Sequence, residues 1–101
     1  MKKILLLCDA GMSTSLMVKK MKEAAEKKGI ETEIAAVSIA KFEENLDNYD
    51  VFLLGPQVKY KKAKLEPIAA AKGKKVEVIN TIDYGMMKGE KVLEQALALI
   101  G

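Results

Sequence analysis

Two unbroken apolar runs, Ile4–Leu7 and Val51–Leu54, decide most of what this chain can become. Neither alternates apolar with polar residues, so neither suits a strand with one wet face. A short run that is apolar at every position suits a strand covered on both faces, as in a parallel sheet. Parallel neighbours need long crossovers, usually helical and right-handed. The segments around the two runs have to supply them.

They do so with regular punctuation. After Cys8 come small and polar residues, and Ser13, Thr14 and Ser15 are all suitable N-cap types for a helix that follows. Met17, Met21, Ala24 and Ala25 share one helical face to about Lys28, widened by Leu16 and Val18. Lys27 and Lys28 suit the negative end of that helix, and Gly29 is a fitting C′ residue. Glu31–Val37 has a partial period of two and several charges, which predicts a shorter or more peripheral strand. Ser38 is a candidate cap for a second helix, with Ile39, Phe42 and Leu46 as its buried stripe. Gly55-Pro56 ends the second apolar run. Gln57–Lys72 is predicted helical, either kinked near Glu66 by Pro67 or divided into two helical pieces, and ended by Gly73. Val76–Ile79 is a fourth strand, Asn80–Gly85 a loop, and a final helix begins around Gly89, its apolar face being Val92, Leu93, Ala96, Leu97 and Ile100. The expected fold is therefore α/β: a single doubly wound, four-stranded parallel sheet with helices on both faces, residues 1–101 forming one domain. Ligands of such sheets bind beyond the carboxyl ends of the strands, here the loops Asp9–Ser15, Gly55–Val58 and Asn80–Gly85.

Composition narrows the function. A formal net charge of +3, with Lys and Glu interspersed and five aromatics (three Tyr, two Phe), argues against a nucleic-acid binder. The apolar run after Lys2-Lys3 is too short for a secretory signal, and no run approaches a membrane span. A single cysteine forms no internal disulfide and suits a reducing cytosol. With no histidine and no second cysteine, a zinc site lacks its usual ligands and a His-assisted mechanism within the chain is excluded. No cofactor is expected.

Cys8 sits where the first strand ends and a helix is about to begin. A helix start presents unpaired main-chain N–H groups and partial positive charge, favouring anions and a thiolate over a thiol. Cys8 is therefore a candidate nucleophile that accepts a phosphoryl group, with a structural core cysteine as the competing reading. Asp9, Ala10, Gly11, Met12, Ser13, Thr14 and Ser15 form the candidate phosphate loop, cradling oxygens with main-chain N–H groups between Ala10 and Ser15 and with the hydroxyls. The loop resembles the Cys-x5-Arg-Ser/Thr loop of protein tyrosine phosphatases, but Thr14 stands at the arginine position. Arginine would grip two oxygens and stabilise transition-state charge. Without it the loop holds a phosphoryl group but is ill equipped to hydrolyse it, which suits a carrier. Asp9 is assigned no catalytic role, since a neighbouring carboxylate opposes thiolate formation.

CDAGMSTS at Cys8–Ser15 is similar to the phosphorylation loop of the enzyme IIB components in the lactose/cellobiose/chitobiose branch of the bacterial sugar phosphotransferase system. LLGPQVKY at Leu53–Tyr60, VEVIN at Val76–Asn80 and DYGMMKGEKVL at Asp83–Leu93 match in order, so the resemblance runs the length of the chain. Asp9 departs from it, standing where relatives often carry a small residue. The resemblance implies a phosphocysteine carrier that is charged by a histidine of enzyme IIA. It discharges to a β-linked disaccharide of the cellobiose, chitobiose or lactose type held by the membrane transporter IIC. It also implies Cys8 as the phosphorylated residue and Ala10–Ser15 as the phosphate-binding loop. Gln57 and Tyr84, in the neighbouring loops, are possible site-lining residues or simply structural. The expected protein is a cytoplasmic monomer, meeting the inner face of the membrane only through IIC. Met12, Val58 and Met86 are candidates for a surface that adapts to both partners, against ordinary core packing. Lys59, Lys61 and Lys62 are candidates for steering acidic partners, against plain solvated surface. Two alternatives compete: a small cysteine-dependent phosphatase or arsenate-reductase-like enzyme, and a non-catalytic receiver-like module. Gly55 stands where a receiver needs its aspartate.

Overall fold

The computed structural model describes residues 1–9 and 12–100, the side chains of Met12 and Ser13 excepted. Among these, four parallel strands form one sheet: β1 (Lys2–Cys8), β2 (Thr32–Ser38), β3 (Val51–Leu54) and β4 (Lys75–Val78), in the order β2-β1-β3-β4. The two unbroken apolar runs are the two central strands, and Ile4–Leu7 and Val51–Leu54 are all fully buried. Their side chains alternate between two cores. Ile4, Leu6 and Leu53 pack with Met17, Met21, Val92, Leu93 and Ala96 under α1 (Met12–Lys27) and, later in the chain, the helix Gly89–Ile100. Leu5, Leu7, Phe52 and Leu54 pack on the other side with Phe42, Leu46, Leu65 and Ala69. Phe42 meets Phe52 edge to face, 5.0 Å between ring centroids. Complete burial of both faces is why neither run alternates.

The β1-to-β2 crossover through α1 moves outward in one direction. The β3-to-β4 crossover through α2 (Lys62–Ala70) moves in the other. Because both are right-handed, they lie on opposite faces. Glu77 of β4 helps dock α2, its carboxylate 3.1 Å from Lys62 Nζ; that hydrogen bond, with Glu66 at 3.7 Å, raises the Lys62 pKa above its ordinary value. β2 is the edge strand expected for Glu31–Val37, although it is as long as β1.

Three local expectations are corrected. The segment after Ser38 is two 3-10 turns, Ile39–Lys41 and Glu43–Asn45, rather than one helix. Ser38 does cap it, accepting from the Ala40 N–H at 3.3 Å, and Phe42 and Leu46 are buried. This connection must travel from an edge strand past β1 to β3, and 3-10 turns rise about 2.0 Å per residue against about 1.5 Å for an α-helix. The segment after Gly55 does divide into two helical pieces, but the break is not near Glu66. A 3-10 stretch, Pro56–Lys61, precedes α2, with Val58 at φ −117°, ψ 21°, and Pro67 lies within α2. Burial of the Val58 side chain bends the chain there. Proline removes only the bond to the Ala63 carbonyl, and both residues are exposed, so solvent serves that group. Finally, Asn80–Gly85 is not an open loop but one helical turn, α3 (Thr81–Gly85), capped by Asn80 Oδ1 from the Ile82 and Asp83 N–H groups at 3.0 and 3.1 Å.

α1 ends as its sequence requires. Gly29 adopts φ +68°, and the Gly29 and Ile30 N–H groups close back on the Glu26 and Ala25 carbonyls at 3.1 and 3.0 Å. The last helix, α4 (Gly89–Ile100), packs beside α1 through a close approach: a Cβ on Gly89 would lie 2.5 Å from the Lys20 carbonyl carbon.

Two stability predictions follow from these contacts. Gly89→Ala should force α4 away from α1 and lower stability by about 1–3 kcal/mol, read as a fall in the urea midpoint; an unchanged midpoint would show that the helices separate without cost. Gly29→Ala meets no steric neighbour but must hold a left-handed backbone, and should cost about 1–2 kcal/mol in the same assay.

Candidate functional site

The strand order places a switch point between β1 and β3, because the chain leaves these two central strands in opposite directions. At the carboxyl ends stand Cys8, the last residue of β1, and Gly55, the first after β3. The Gly55 N–H donates to the Leu7 carbonyl at 2.9 Å, which binds the two strand ends together. A Cβ on Gly55 would lie 2.8 Å from Gln57 Oε1 and 3.9 Å from Cys8 Cβ, so Gln57 folds back over the β3 end, beside the cysteine. The sequence-predicted neighbours Cys8 and Gln57 are thus brought together, and Gln57 is exposed.

Cys8 is a free thiol with only 2% of its surface exposed. Its Sγ lies 3.9 Å from the Val37 carbonyl of β2, the reach of a weak S–H donor. Asp9 follows and is exposed. Ala10 and Gly11, and the side chains of Met12 and Ser13, lie outside the described residues. Ser13, Thr14 and Ser15 already belong to α1 and are first-turn residues, not its cap. The first main-chain N–H groups of a helix have no carbonyl partner within it. α1 therefore offers N–H donors without helical partners a short connection along the chain from the thiol.

Thr14 and Tyr84 form a pair that the sequence did not announce. Thr14 is fully buried, and its Oγ1 is 3.1 Å from the Tyr84 hydroxyl, 70 residues away. The Thr14 hydroxyl, expected at the phosphate, is engaged with Tyr84. Tyr84 itself is only 7% exposed and reaches the first turn of α1 from the loop cluster after β4. Its position is set by Asn80, whose side chain caps α3 and whose N–H is held by Gln95 Oε1 at 3.1 Å. Gln95 Nε2 in turn donates to the Val78 carbonyl at 2.8 Å. Sequence reasoning missed Gln95 because a glutamine in a helix carries no sign of what its amide will meet. The Asn80 cap was also missed, the segment being read as a loop, although an Asn with Asp83 three residues later is a signal that could have found it.

Of the apolar loop residues, Val58 is core, whereas Met86 is 63% exposed, with Ile82 and Tyr60 each at 69%. Lys62 is tied to Glu66 and Glu77, and Lys61 Nζ stands 5.7 Å from the Tyr60 ring centroid. Among the described residues, no helix is long and apolar enough to cross a membrane.

The comparisons agree with this geometry. Residues 3–95 match the family described as "PTS system, Lactose/Cellobiose specific IIB subunit". The oligo-beta-mannoside-specific EIIB component of Bacillus subtilis is 49% identical over 100 residues, covering 99% of this chain and 97% of that protein. The galactose-specific EIIB component of Lactococcus lactis subsp. cremoris is 46% identical, covering 94% and 93%. The solution structure of a cellobiose-specific IIB component from Borrelia burgdorferi superposes with a TM-score of 0.81 at 45% identity, covering 98% of this chain and 91% of that one. A match of this extent, on a fold that sets a lone cysteine at the switch point, means that the chain belongs to the lactose/cellobiose-specific IIB family of the sugar phosphotransferase system, whose members transfer a phosphoryl group to sugar.

Proposed function

We propose that Cys8 is the residue that carries the phosphoryl group, with Asp9–Ser15 as the loop that receives it. The observation that carries this reading is the position of the chain's one cysteine, at the carboxyl end of a central strand, in the switch-point crevice and just before α1. In the first step the Cys8 sulfur attacks the phosphorus of a phosphohistidine on IIA. An S–P bond forms, the N–P bond breaks, and the electron pair returns to the imidazole nitrogen, which takes up the proton the thiol gives up. In the second step a sugar hydroxyl oxygen attacks the same phosphorus. An O–P bond forms, the S–P bond breaks to leave the thiolate, and the hydroxyl proton passes to a base on the acceptor side, since this chain has no histidine to take it. Main-chain N–H groups of the loop and of the first turn of α1 neutralise the phosphoryl oxygens throughout. Thr14 at the arginine position of a phosphatase-like loop withholds the group that would speed attack by water.

The acceptor is a β-linked sugar of the cellobiose, chitobiose or lactose type, presented by IIC at the inner face of the membrane. The relatives are named for oligo-beta-mannoside, galactose and cellobiose, a range that supports a component following its transporter's choice. Tyr60, Ile82 and Met86, exposed on segments that follow β3 and β4, suit brief apolar contact with IIA and then IIC. The chain works as a monomer of one domain, 1–101, in the cytoplasm.

Incubation with phosphoenolpyruvate, the general phosphotransfer proteins and a IIA partner should add one phosphoryl group, located on Cys8 by mass spectrometry. Cys8→Ser should gain none. Label on another side chain, or steady turnover of an aryl phosphate by the free protein, would refute the assignment.

A further inference from the structure

Thr14 is the only polar side chain among the described residues that is fully buried. It lies in the first turn of α1, the part of the helix whose N–H groups the phosphate would use. Its hydroxyl meets that of Tyr84 at 3.1 Å, and the two come from opposite ends of the chain. The Tyr84 hydroxyl is itself located from behind. α3 is a single turn, capped by Asn80, and Gln95 of α4 holds both the Asn80 N–H and the Val78 carbonyl. A line of hydrogen bonds thus runs from α4, past the end of β4, to the first turn of α1.

Stability alone does not account for this arrangement. Replacing both members of a buried hydrogen-bonded pair by apolar groups of the same shape can be nearly neutral for folding. A valine and a phenylalanine would fill the space as well. A hydrogen bond adds direction and distance, and group transfer is sensitive to both: small misplacements of the reacting groups cost large factors in rate.

We infer that Tyr84 is a positioning residue for phosphoryl transfer: its hydroxyl, acting through Thr14, holds the first turn of α1 where the phosphoryl oxygens of Cys8 need it. This rests on the reading of Cys8 as the carrier. It gives the loop after β4 a part in the chemistry without requiring Tyr84 to touch the phosphate. It also makes Asn80 and Gln95 the support on which that loop depends.

The test compares wild type, Tyr84→Phe, Thr14→Ser and the double variant Thr14→Val/Tyr84→Phe. Three quantities are read: the rate of phosphoryl acceptance from IIA, the phosphorus NMR resonance of the phosphocysteine, and the thermal midpoint. Tyr84→Phe should slow acceptance by roughly tenfold or more and shift the resonance. Thr14→Ser, which keeps the hydroxyl, should slow acceptance and shift the resonance less than Tyr84→Phe does. The double variant should regain part of the thermal midpoint that Tyr84→Phe loses, yet remain slow. The inference is overturned if Tyr84→Phe matches wild type in rate and resonance, or if the double variant recovers rate together with stability. A wild-type chain that takes no label on Cys8 overturns the carrier assignment and this inference with it, whereas a labelled wild type with an indifferent Tyr84→Phe overturns this inference alone.

Discussion

The fold depends on one strand being sealed on both sides. Ile4, Leu5, Leu6 and Leu7 have no exposed surface, and they feed two separate cores. A strand like this cannot sit at an edge or against water on one face. It needs a parallel neighbour on each side and a helical layer above and below. Once β2 has been laid on one side by a right-handed crossover, β3 takes the other, and the following crossover must use the opposite face. The crevice at the end of β1 follows from this winding. A residue placed at the carboxyl end of β1 therefore arrives at the point where the crossovers diverge.

Cys8 is that residue. What surrounds it is drawn from two neighbouring strands: the β2 carbonyl at Val37, and the β3 end at Gly55 and Gln57. The thiol is close to buried. A carrier differs from a phosphatase in what its loop omits. Here the residue at the arginine position is turned into the interior and engaged by a tyrosine, so it serves the frame of the site.

The parts legible in the sequence are those governed by local spacing and backbone chemistry. The two central strands, α1 with its terminal Gly29, α4 from Gly89, and the cysteine between strand and helix could all be read from a few consecutive residues. The misread parts were those where the chain serves a distant demand. Ile39, Phe42 and Leu46 carry a helical spacing, yet the connection must span from β2 to β3 and stretches into 3-10 turns. Pro67 signals a break, but the bend falls near Val58, where a core position has to be filled. Asn80–Gly85 has the composition of a loop, and a cap turns it into a helical turn.

By itself the sequence determined the class of fold, the lone thiol and the helix start beside it, because apolar continuity, residue type and capping chemistry act over a few residues. Tertiary structure alone decided that Thr14 would meet Tyr84, that Gln95 would hold the end of β4, and that Gly89 would let α4 rest on Lys20. These contacts join residues with no local relation, and only the packing of helices and loops on the finished sheet brings them within reach.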